Sequence, residues 1–437
     1  MLNNLAYARL FNNFCAVNFN PEIFRAYDIR GIYGRDFDED FAFKLGQALV
    51  KYINKRIFLI GYGSRQFSEK LAQALVKGIT SVGADVEFIG LASTPLFNFA
   101  LKKLGVNGGV MLTASHLGPQ YGGFKVFGEG GVIVGLNSGL EKIKVILTEN
   151  KNFEVSRYGG KLIKQDRQKL IDSYTDFIIK KSSWNVRDSN AVRVKIEPQA
   201  TIADELESLV KKTGIISINE QYDLSFGFDE DADRIYIFDS AAKPIHSEYV
   251  IGLLVQSGIK FWTKPKVIYD WRFSRGVLEK FKEWGIKAIH SKNGRTFIRE
   301  NIVKYDADIG GELSGHIYFK ETNYNEMPFL VMLRLLKIIN KSGKNIRELT
   351  EQFRTWFNSG EINIAKHETW NKEQVFVKLK EKYKDGKIDE LDGIMVEYPD
   401  WWFNFRPSNT EPVLRLVVEA KTKKLLEEKL SEIKGSL

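Results

Sequence analysis

The stretch from Ile57 to Ser115 reads IFLIGYGSRQFSEKLAQALVKGITSVGADVEFIGLASTPLFNFALKKLGVNGGVMLTAS. Three apolar runs within it, IFLIGY, DVEFIGL and GGVMLTAS, have the composition of buried strands. Segments with the apolar spacing of helices, from Ser68 to Val82 and after Pro95, separate these runs. Strands that alternate with helices in this way form βαβ units with parallel strands. The stretch therefore predicts an α/β fold with a mainly parallel sheet.

A second stretch with the same rhythm begins at Glu248. A helical pattern runs to Trp262 and is followed by the strand-like segment PKVIYDW. A helix from Ser274 to Trp284, the strand-like IKAIHS, a helix from Gly294 and the strand-like ADIGG come next. This region also predicts an α/β unit with a mainly parallel sheet.

Two further regions complete the chain. The region from Tyr158 to Asp239 contains the polar segment KKSSWNVRDSN, the strand-like VRVKI and LSFGF, and a helix near Ala203 to Lys212, and it predicts a smaller unit. After about Gly360, the strand-like segments INIAKHE, DGIMVEY, WWFNFR and VLRLVVEA with flanking helices predict a compact α+β domain. A chain of 437 residues exceeds what one core usually organises and favours two to four domains. The four regions described above lead us to expect four. We place them at residues 1–150, 151–246, 247–360 and 361–437.

The composition is typical of a folded, soluble protein. Hydrophobic residues make up 43% of the chain and charged residues 27%, which argues against wholesale disorder. The single cysteine, Cys15, cannot form an internal disulfide, and this favours a reducing compartment, the cytoplasm. Asparagines interrupt the apolar residues of positions 1–20, so we expect neither a signal peptide nor a membrane span there.

The formal charge of +9 indicates an anionic partner. Nucleic acid, a membrane surface and a small phosphorylated substrate all fit a positive charge. The lysines are spread along the chain and interleaved with acidic residues, as in KTKKLLEEKLSEIKGSL, which is typical of solvated helix faces. Charge alone does not identify the anionic partner; we expect neither a nucleic-acid nor a membrane partner, and we leave monomer and dimer open.

The first loop whose residues could take part in catalysis is TASHLGPQYGGFK, which runs from Thr113 to Lys125. A serine at a strand end can act as a nucleophile when nearby groups manage its proton. His116 is adjacent to Ser115, and Lys125 lies ten residues further along. A polar surface turn would have a similar composition, so this loop alone leaves both interpretations open.

The second loop lies in FDEDADRIYIFD, where Asp229, Asp231 and Asp233 alternate between two strand-like runs. Closely packed carboxylates repel one another unless a cation joins them, and magnesium and calcium prefer oxygen ligands. A helix-loop-helix calcium site needs glycine at its sixth position and glutamate at its twelfth, where this chain has Arg234 and Ser240. That class is excluded, which leaves another divalent-cation site or a solvated acidic turn.

The third loop is GGELSGH, from Gly310 to His316. Glu312, Ser314 and His316 offer donors and acceptors that could bind sugar hydroxyls. Glycine-rich turns with polar residues also occur as purely structural features, so both interpretations remain.

The fourth loop lies in FRPSNTEPVLRL, where Ser408, Asn409 and Thr410 follow Arg406. A guanidinium fork, hydroxyls and turn amides are the groups that bind a phosphate dianion. An Asn-Thr turn with an incidental arginine is the alternative.

In this order and spacing, the four loops resemble the alpha-D-phosphohexomutase superfamily, most closely the bacterial phosphomannomutase/phosphoglucomutase group. The likeness covers nearly the whole chain from Phe24 and includes FRAYDIRG, which ends at Gly31, and STPLFNFA before the serine loop. The resemblance implies four domains around a central cleft: three related α/β units with mixed, mainly parallel sheets and a C-terminal α+β domain. In chain order these would carry a phosphoserine loop, a metal loop in a shortened domain, a sugar-binding loop and a phosphate-binding loop.

The resemblance also implies the chemistry. It implies an isomerase of the intramolecular phosphotransferase type that interconverts hexose 1-phosphate and hexose 6-phosphate, with mannose, glucose or both as the hexose. The phosphoryl group would pass through a phosphoserine and a bisphosphorylated sugar. Mg²⁺ and a hexose 1,6-bisphosphate activator would be required.

Residue by residue, the resemblance implies that Ser115 carries the phosphoryl group and that Ser115, Asp229, Asp231 and Asp233 hold the metal. The other residues with implied catalytic roles are His116, Lys125 and Arg30. The implied substrate-binding residues are Tyr27, Arg234, Arg272, Arg295, Glu312, Ser314, His316, Arg406, Ser408, Asn409 and Thr410.

The chain departs from the family pattern in two of its loops. The usual serine loop reads T-A-S-H-N-P with Y-N-G, whereas Leu117, Gly118 and Gly122 stand at three of those places. Glu230 replaces the usual glycine between two metal ligands. We expect these residues to change the loop geometry or the preference for the ion.

Two arginines affect the expected proton transfer. Arg272 and Arg295 stand where the group has a lysine and a histidine, and a guanidinium group stays charged, so neither can shuttle a proton. We expect Lys125 or His116 to accept the proton instead. Arg30 and Arg272 would crowd positive charge around Lys125 and favour its neutral form.

Two other functions remain as alternatives. Arg272, Arg295 and Leu117 would suit a catalytically impaired phosphosugar-binding or scaffold protein of the same fold. A phosphoglucosamine mutase is the other alternative, although Leu313 in the third loop favours the mannose and glucose enzymes, because the glucosamine type usually has glutamine there.

Overall fold

The computed structural model describes residues 19–149, 153–188, 192–365, 372–407 and 413–437. The chain divides into two compact units. The first extends to Ile235 and also contains Glu326–Leu333, and the second consists of Tyr236–Asn325 and Arg334–Leu437. Cys15 lies outside the described residues.

A six-stranded mixed sheet forms the centre of the first unit. Its central strand β2 pairs in parallel with β3 and β4, and β3 pairs in parallel with β6. Strand β5 runs antiparallel to both β1 and β4. The spatial order is β1-β5-β4-β2-β3-β6. The strands are β1 (Ile29–Ile32), β2 (Ile57–Tyr62), β3 (Asp85–Leu91), β4 (Gly109–Leu112), β5 (Tyr121–Phe127) and β6 (Leu162–Lys164).

Helices connect and cover these strands. The helices α2 and α3 follow β2 and β3 as the crossovers that parallel pairing requires. The first two helices pack closely because Gly78 has no side chain: a Cβ there would lie 1.8 Å from the carbonyl oxygen of Phe43. The helices of this unit are α1 (Glu39–Ile53), α2 (Ser68–Ser81), α3 (Thr94–Leu104), α4 (Glu141–Glu149), α5 (Arg167–Ser182) and α6 (Ala203–Thr213).

The start and end of α3 follow from its sequence. The Ser93 side chain accepts a hydrogen bond from the backbone N–H of Leu96, and Pro95 occupies the first turn, where its missing N–H costs nothing. Gly105 ends the helix with a φ of 66°, a conformation that glycine adopts without strain. These signals place Ser93 and Thr94 at the end of β3.

The core of the first unit contains an aromatic cluster under the serine loop. Phe37, Phe41 and Phe124 are buried, and their ring centroids lie 5.5 to 5.8 Å apart. Each such ring buries a large apolar area and packs well at this distance. The cluster therefore holds β5 against α1 and fixes the strand that carries Lys125.

The predicted smaller unit contributes a parallel strand pair to the first unit. Strands β7 (Val194–Ile196) and β8 (Leu224–Phe228) pair in parallel, with α6 between them in the chain. The acidic loop follows the carboxyl end of β8 directly.

The second unit contains the second predicted α/β region. Strand β11 pairs in parallel with β12 and β13, and β14 runs antiparallel to β13. The strands here are β9 (Ile235–Asp239), β10 (Pro244–Ile245), β11 (Lys266–Asp270), β12 (Lys287–Ser291), β13 (Ile309–Gly311), β14 (Ile317–Phe319) and β15 (Asn325–Glu326). The helices are α7 (Ser247–Gly258), α8 (Arg275–Glu283), α9 (Arg295–Tyr305), α10 (Pro328–Ser342) and α11 (Ile346–Thr350). Of α10, the part from Arg334 onward belongs to the second unit.

The C-terminal part of the second unit is an antiparallel sheet flanked by helices. The order is β16-β21-β20-β19-β18, and β17 also pairs with β21. Its elements are β16 (Phe357–Asn358), β17 (Ile362–Ala365), α12 (Lys372–Lys382), β18 (Lys387–Asp389), β19 (Ile394–Glu397), β20 (Trp401–Pro407), β21 (Val413–Ala420) and α13 (Lys423–Lys434). Helix–strand alternation followed by this α+β region confirms the predicted mixed α/β fold class.

The predicted division into four domains stays a prediction. Strand β6 lies beyond the expected boundary at residue 150 and pairs with β3, so the first sheet extends past that boundary. Among the described helices, we find none with the length and apolar character needed to cross a bilayer.

Candidate active site

Ser115 lies in the turn between β4 and β5. It is 2% exposed, and its φ of 51° is left-handed, a conformation that costs a residue with a Cβ about 1 to 2 kcal/mol. Its backbone N–H donates to Thr113 Oγ1 at 2.9 Å. Its hydroxyl donates to Asp229 Oδ2 at 2.7 Å. The sharp turn therefore presents the serine oxygen directly to the acidic loop.

The three aspartates of the acidic loop form a buried cluster. Each of Asp229, Asp231 and Asp233 places a carboxylate oxygen within 4.8 Å of the others. Burial, reinforced by the charges of Asp233 and Asp231, raises the pKa of Asp229 well above its usual range. Burial and Asp233 also act to raise the pKa of Asp231, but the ammonium group of Lys125 outweighs them and the net pKa is lowered. The three carboxylates therefore repel one another beside Ser115, and Lys125 offsets part of that repulsion.

These residues fit a divalent cation. Asp231 is fully buried, and its Oδ1 accepts no hydrogen bond from any described residue. A buried carboxylate oxygen without a donor is costly unless a cation or water satisfies it. Oxygen ligands on a loop anchored by a strand suit Mg²⁺.

Lys125 is ion-paired within this cluster. Its Nζ lies 2.5 Å from Asp231 Oδ2 and 2.6 Å from Asp233 Oδ2, and its side chain is almost completely buried. Carboxylates are thus immediate partners of Lys125, and the expected crowding by Arg30 and Arg272 stays a prediction. Arg30 donates to Asp28 Oδ2 at 2.7 Å and to the carbonyl oxygen of Ala114 at 3.2 Å.

His116 and two arginines lie beside the serine. Crowding of the His116 ring by neighbouring atoms, followed by the charges of Arg234 and Arg30, lowers its pKa to about 4 although the residue remains accessible to solvent. A pKa this low makes the ring a weak base in the unphosphorylated protein. Arg234 reaches the cluster through its backbone N–H, which donates to Asp229 Oδ1 at 3.1 Å.

The departures from the usual serine loop have a steric reason at Gly122. A Cβ at this position would lie 2.8 Å from the Phe37 ring and 2.9 Å from the Phe67 ring. Both contacts are far closer than packed carbon atoms tolerate. A larger residue at position 122 would therefore have to displace an aromatic ring.

Ser93 and Thr94, at the start of α3, support the acidic loop. Thr94 Oγ1 donates to Asp231 Oδ2 at 2.7 Å, and the Thr94 N–H donates to the Asp231 carbonyl oxygen at 2.9 Å. The Ser93 N–H and hydroxyl both donate to the carboxylate of Glu205, at 2.9 and 2.7 Å. Complete burial raises the pKa of Glu205 to about 7.

The predicted sugar-binding residues lie together in the second unit. Glu312 and His316 are buried, and Glu312 Oε1 accepts a hydrogen bond from the Tyr318 hydroxyl at 2.9 Å. Ser314 Oγ lies 3.5 Å from Glu312 Oε2. The His316 ring stacks on Tyr318 with centroids 6.1 Å apart. This loop therefore gathers acceptors and donors that suit hydroxyl recognition.

Three arginines of the second unit converge on Glu361. Arg415 Nη1 lies 2.9 Å from Glu361 Oε1, Arg406 Nη2 lies 3.2 Å from Oε2, and Arg272 Nη1 also pairs with Oε2. Arg406 is 1% exposed, and burial followed by the charge of Arg272 lowers its pKa. Arg272 is further held by Asp270, with Nε 2.9 Å from Oδ1. Guanidinium groups that share one carboxylate can equally bind a phosphate.

For the remaining predicted substrate-binding residues, we describe only their positions along the chain. Tyr27 is half-buried just before β1, and Arg295 is the first residue of α9. Ser408, Asn409 and Thr410 lie outside the described residues. In the first unit, the predicted residues brought together are Arg30, Ser115, His116, Lys125, Asp229, Asp231, Asp233 and Arg234.

Sequence reasoning missed three residues of these groups: Arg65, Thr94 and Glu361. Arg65 and Thr94 could have been found, because both follow strands of a parallel sheet at the edge where Ser115 lies, and ligand sites form at such carboxyl ends. Glu361 has no comparable signal, since it precedes an antiparallel strand.

Family models match most of the chain. The model for phosphoglucomutase/phosphomannomutase alpha/beta/alpha domain I matches residues 21–154. The models for alpha/beta/alpha domain III and for the C-terminal domain of the same family match residues 246–356 and 369–435.

Known proteins resemble this chain over nearly its whole length. A phosphomannomutase of Methanocaldococcus jannaschii is 34% identical, with 94% of this chain and 97% of the relative covered. A phosphomannomutase of Escherichia coli is 30% identical, with 91% and 95% covered. Among solved structures, a phosphoglucomutase/phosphomannomutase family protein from Burkholderia thailandensis has a TM-score of 0.82 at 22% identity, with 96% and 98% covered. The open form of a Paramecium phosphoglucomutase, parafusin, has a TM-score of 0.70 at 15% identity, with 91% and 92% covered.

The sequence resemblance and the predicted enzyme class are confirmed by these matches. They include full-length relatives at 30% identity or more as well as three domain models of one family. The chain therefore belongs to the phosphoglucomutase/phosphomannomutase family of the alpha-D-phosphohexomutase superfamily, and it is an isomerase of the phosphohexomutase class.

Proposed function

We propose that the chain interconverts the 1-phosphate and 6-phosphate of mannose, glucose or both through a phosphoserine at Ser115 and a hexose 1,6-bisphosphate. One observation carries this proposal: the Ser115 hydroxyl donates to Asp229 Oδ2 at 2.7 Å, and Asp229 belongs to a buried cluster of three carboxylates. The names of the relatives, phosphomannomutases at 30% and 34% identity, support the hexose class.

Mg²⁺ would be held by Ser115, Asp229, Asp231 and Asp233. The buried Oδ1 of Asp231, which accepts no hydrogen bond from the described residues, supports this assignment. When bound, Mg²⁺ would neutralise charge on the transferring phosphoryl group. Arg30 and Arg234, which lie beside the serine loop and the acidic loop, would add positive charge where the phosphoryl oxygens develop negative charge.

The transfer itself exchanges one P–O bond for another. The bond between phosphorus and Ser115 Oγ breaks as a sugar hydroxyl oxygen bonds to phosphorus, and the hydroxyl proton leaves to a base. The resulting bisphosphate returns its other phosphoryl group to Ser115, so the enzyme ends in its starting state. The phosphate that is not reacting therefore differs between the two half-reactions, and its binding group must accept either end of the sugar.

His116 and Lys125 are the proposed proton carriers. His116 adjoins Ser115, so its ring would lie beside the transferring phosphoryl group. Lys125 lies between Asp231 and Asp233, so its ammonium would be available as a proton donor to the departing serine oxygen.

The second unit supplies the proposed recognition of the sugar and its distal phosphate. Glu312, Ser314 and His316 would bind hydroxyls, and Arg272 and Arg406 with Ser408, Asn409 and Thr410 would bind the phosphate. Tyr27 and Arg295 are further proposed substrate contacts. We also propose a cytoplasmic location, in keeping with the single cysteine.

An assay of the purified chain tests this function. The chain is incubated with magnesium, a trace of glucose 1,6-bisphosphate and, separately, the 1-phosphates of glucose, mannose and glucosamine. We expect 6-phosphates from glucose or mannose. Turnover of the glucosamine compound alone would instead identify a phosphoglucosamine mutase, and binding without any turnover would identify an impaired phosphosugar-binding protein.

A further inference from the structure

Arg65 contacts the backbone of the serine loop at four points. Its Nη2 donates to the carbonyl oxygens of Ser115 at 2.9 Å and Leu117 at 2.8 Å. Its Nη1 donates to the carbonyl oxygens of Gly118 at 2.7 Å and Tyr121. The side chain is only 7% exposed. One buried guanidinium group therefore holds the turn from Ser115 to the start of β5.

Other contacts hold the two ends of this turn: the Ser115 N–H donates to Thr113 Oγ1 at 2.9 Å, and the Tyr121 N–H donates to the Gly118 carbonyl oxygen at 3.0 Å. Ser115 has a left-handed backbone conformation, which residues with a Cβ adopt only when their surroundings impose it. Leu117, Gly118 and Gly122 have no polar side chains that could brace the turn. Arg65 is bonded to four backbone carbonyl oxygens of the turn at once, and the rigid fork of arginine suits several acceptors.

Glu230 connects Arg65 to the acidic loop. Its Oε2 lies 3.5 Å from Arg65 Nε and accepts a hydrogen bond from Thr113 Oγ1 at 3.2 Å. The same Thr113 oxygen accepts the N–H of Ser115 at 2.9 Å. Because Glu230 stands between two of the clustered aspartates in the chain, these contacts link both loops.

The surroundings of Glu230 hold it in this orientation. Its Oε1 accepts the N–H of Ser64 at 3.1 Å and the hydroxyl of Thr201 at 3.3 Å. A Cβ on Gly63 would lie 2.5 Å from the same oxygen, so the carboxylate occupies the space that a side chain there would fill. The carboxylate is therefore packed and hydrogen-bonded on the side away from Arg65.

We infer that Arg65 and Glu230 form a positioning pair that sets the placement of Ser115 relative to the carboxylate cluster. The inference rests on the proposed function, because correct placement matters only if Ser115 carries the phosphoryl group. Neither residue touches the reacting atoms. A catalytic group misplaced by about 1 Å commonly loses on the order of 10²-fold in rate, so such a pair can control transfer without binding substrate.

The test measures transfer to Ser115 in a single turnover. The wild type, Arg65→Met, Arg65→Lys and Glu230→Ala are each mixed with magnesium and glucose 1,6-bisphosphate, and phosphoserine is followed by intact mass. We expect Arg65→Met and Glu230→Ala to slow transfer by about 10- to 100-fold with KM for the bisphosphate changed less than about threefold. Arg65→Lys should remain about tenfold slow, because one ammonium group cannot reach four carbonyl oxygens.

Arg193→Met is the matched control. Arg193 pairs with Asp223 at 2.7 Å on an exposed part of the same unit, so its loss removes an arginine–carboxylate pair without affecting the serine loop. This variant should transfer at the wild-type rate.

Two further measurements separate positioning from general destabilisation. Hydrogen exchange should increase in residues 113–125 of Arg65→Met and Glu230→Ala and remain unchanged elsewhere. The double variant Arg65→Met/Glu230→Ala should be no more than about twofold slower than Arg65→Met, because paired residues act as a unit.

The outcomes distinguish this inference from the proposed function. If the wild type is phosphorylated on Ser115 and the folded variants transfer at its rate, the positioning pair is overturned while the function stands. If the wild type never acquires phosphate on Ser115, the proposed function fails and the inference fails with it. If Arg65→Met does not fold, Arg65→Lys and Glu230→Ala decide the question by the same criteria.

Discussion

Replacing Asp231 by asparagine removes one negative charge from the carboxylate cluster while keeping the shape of the side chain. The Oδ2 position accepts from Thr94 and Lys125 at 2.7 and 2.5 Å, and an amide oxygen can keep these two hydrogen bonds. The amide nitrogen must then take the place of Oδ1, which is buried and accepts no hydrogen bond from the described residues. An amide nitrogen cannot bind a divalent cation, so the substitution acts on the proposed metal ligand.

The expected loss follows from the electrostatics of the site. Removing one preorganised electrostatic contact from a buried catalytic site commonly costs about 10² to 10³ in rate, or about 3 to 4 kcal/mol. The full burial of Asp231 places this substitution at the upper end, because electrostatic contacts are stronger away from water. We expect Asp231→Asn to need a higher magnesium concentration and to reach a lower maximal rate.

Initial rates of glucose 6-phosphate formation across a magnesium titration would measure this effect. Asp223→Asn, which changes an exposed aspartate paired with Arg193, is the matched control and should behave as the wild type. Asp231→Asn activity and magnesium dependence equal to those of the control would mean that the metal lies elsewhere.

Three further predictions, which use five substitutions, test other parts of the account. Folding raises the pKa of Glu205 from 4.5 to about 7, so the folded protein binds the proton of this carboxyl group more tightly than the unfolded chain does. The free energy of unfolding should therefore fall by about 3 kcal/mol as pH rises through that range, and Glu205→Gln should remove this slope in equilibrium denaturation; parallel profiles would contradict the reasoning. Arg406→Ala should raise KM about 10- to 100-fold for both the 1-phosphate and the 6-phosphate, and an effect on only one of them would argue against reorientation of the bisphosphate. Lys125→Met and His116→Gln should each slow transfer from phosphorylated Ser115 by about 10² or more, while Arg295→His leaves it intact or faster; wild-type rates in the first two with an inactive third would refute the proton route.

The sequence predicted those parts of the fold in which burial follows a regular spacing. The strands β2, β3 and β4 and the helices between them were recognised because apolar runs and helical spacing record which residues face the core. The helix α5 was not recognised. Its buried face includes Thr175 and Ser182, whose hydroxyls donate to carbonyl oxygens one turn earlier, so polar residues interrupt the apolar pattern.

The candidate site was predicted as separate loops, and their contacts were not. The alternation of three aspartates and the position of Ser115 at a strand end are local features that residue chemistry can identify. Two partners of Lys125 lie more than one hundred positions away in the chain, so the sequence did not predict these ion pairs. Arg65 donates to backbone carbonyl oxygens. Because every residue has one, the residue types of the turn do not show which carbonyl oxygens Arg65 contacts.

The central claim is that Ser115 carries the transferred phosphoryl group, and one measurement addresses it directly. The purified chain is incubated with magnesium and glucose 1,6-bisphosphate, the phosphorylated residue is located by peptide mapping, and glucose 1-phosphate is then added to collect the group. We expect phosphate on Ser115 that disappears as the sugar bisphosphate forms, and no labelling or turnover in Ser115→Ala. Turnover that persists in Ser115→Ala, or a phosphoryl group found on another residue, would contradict this mechanism.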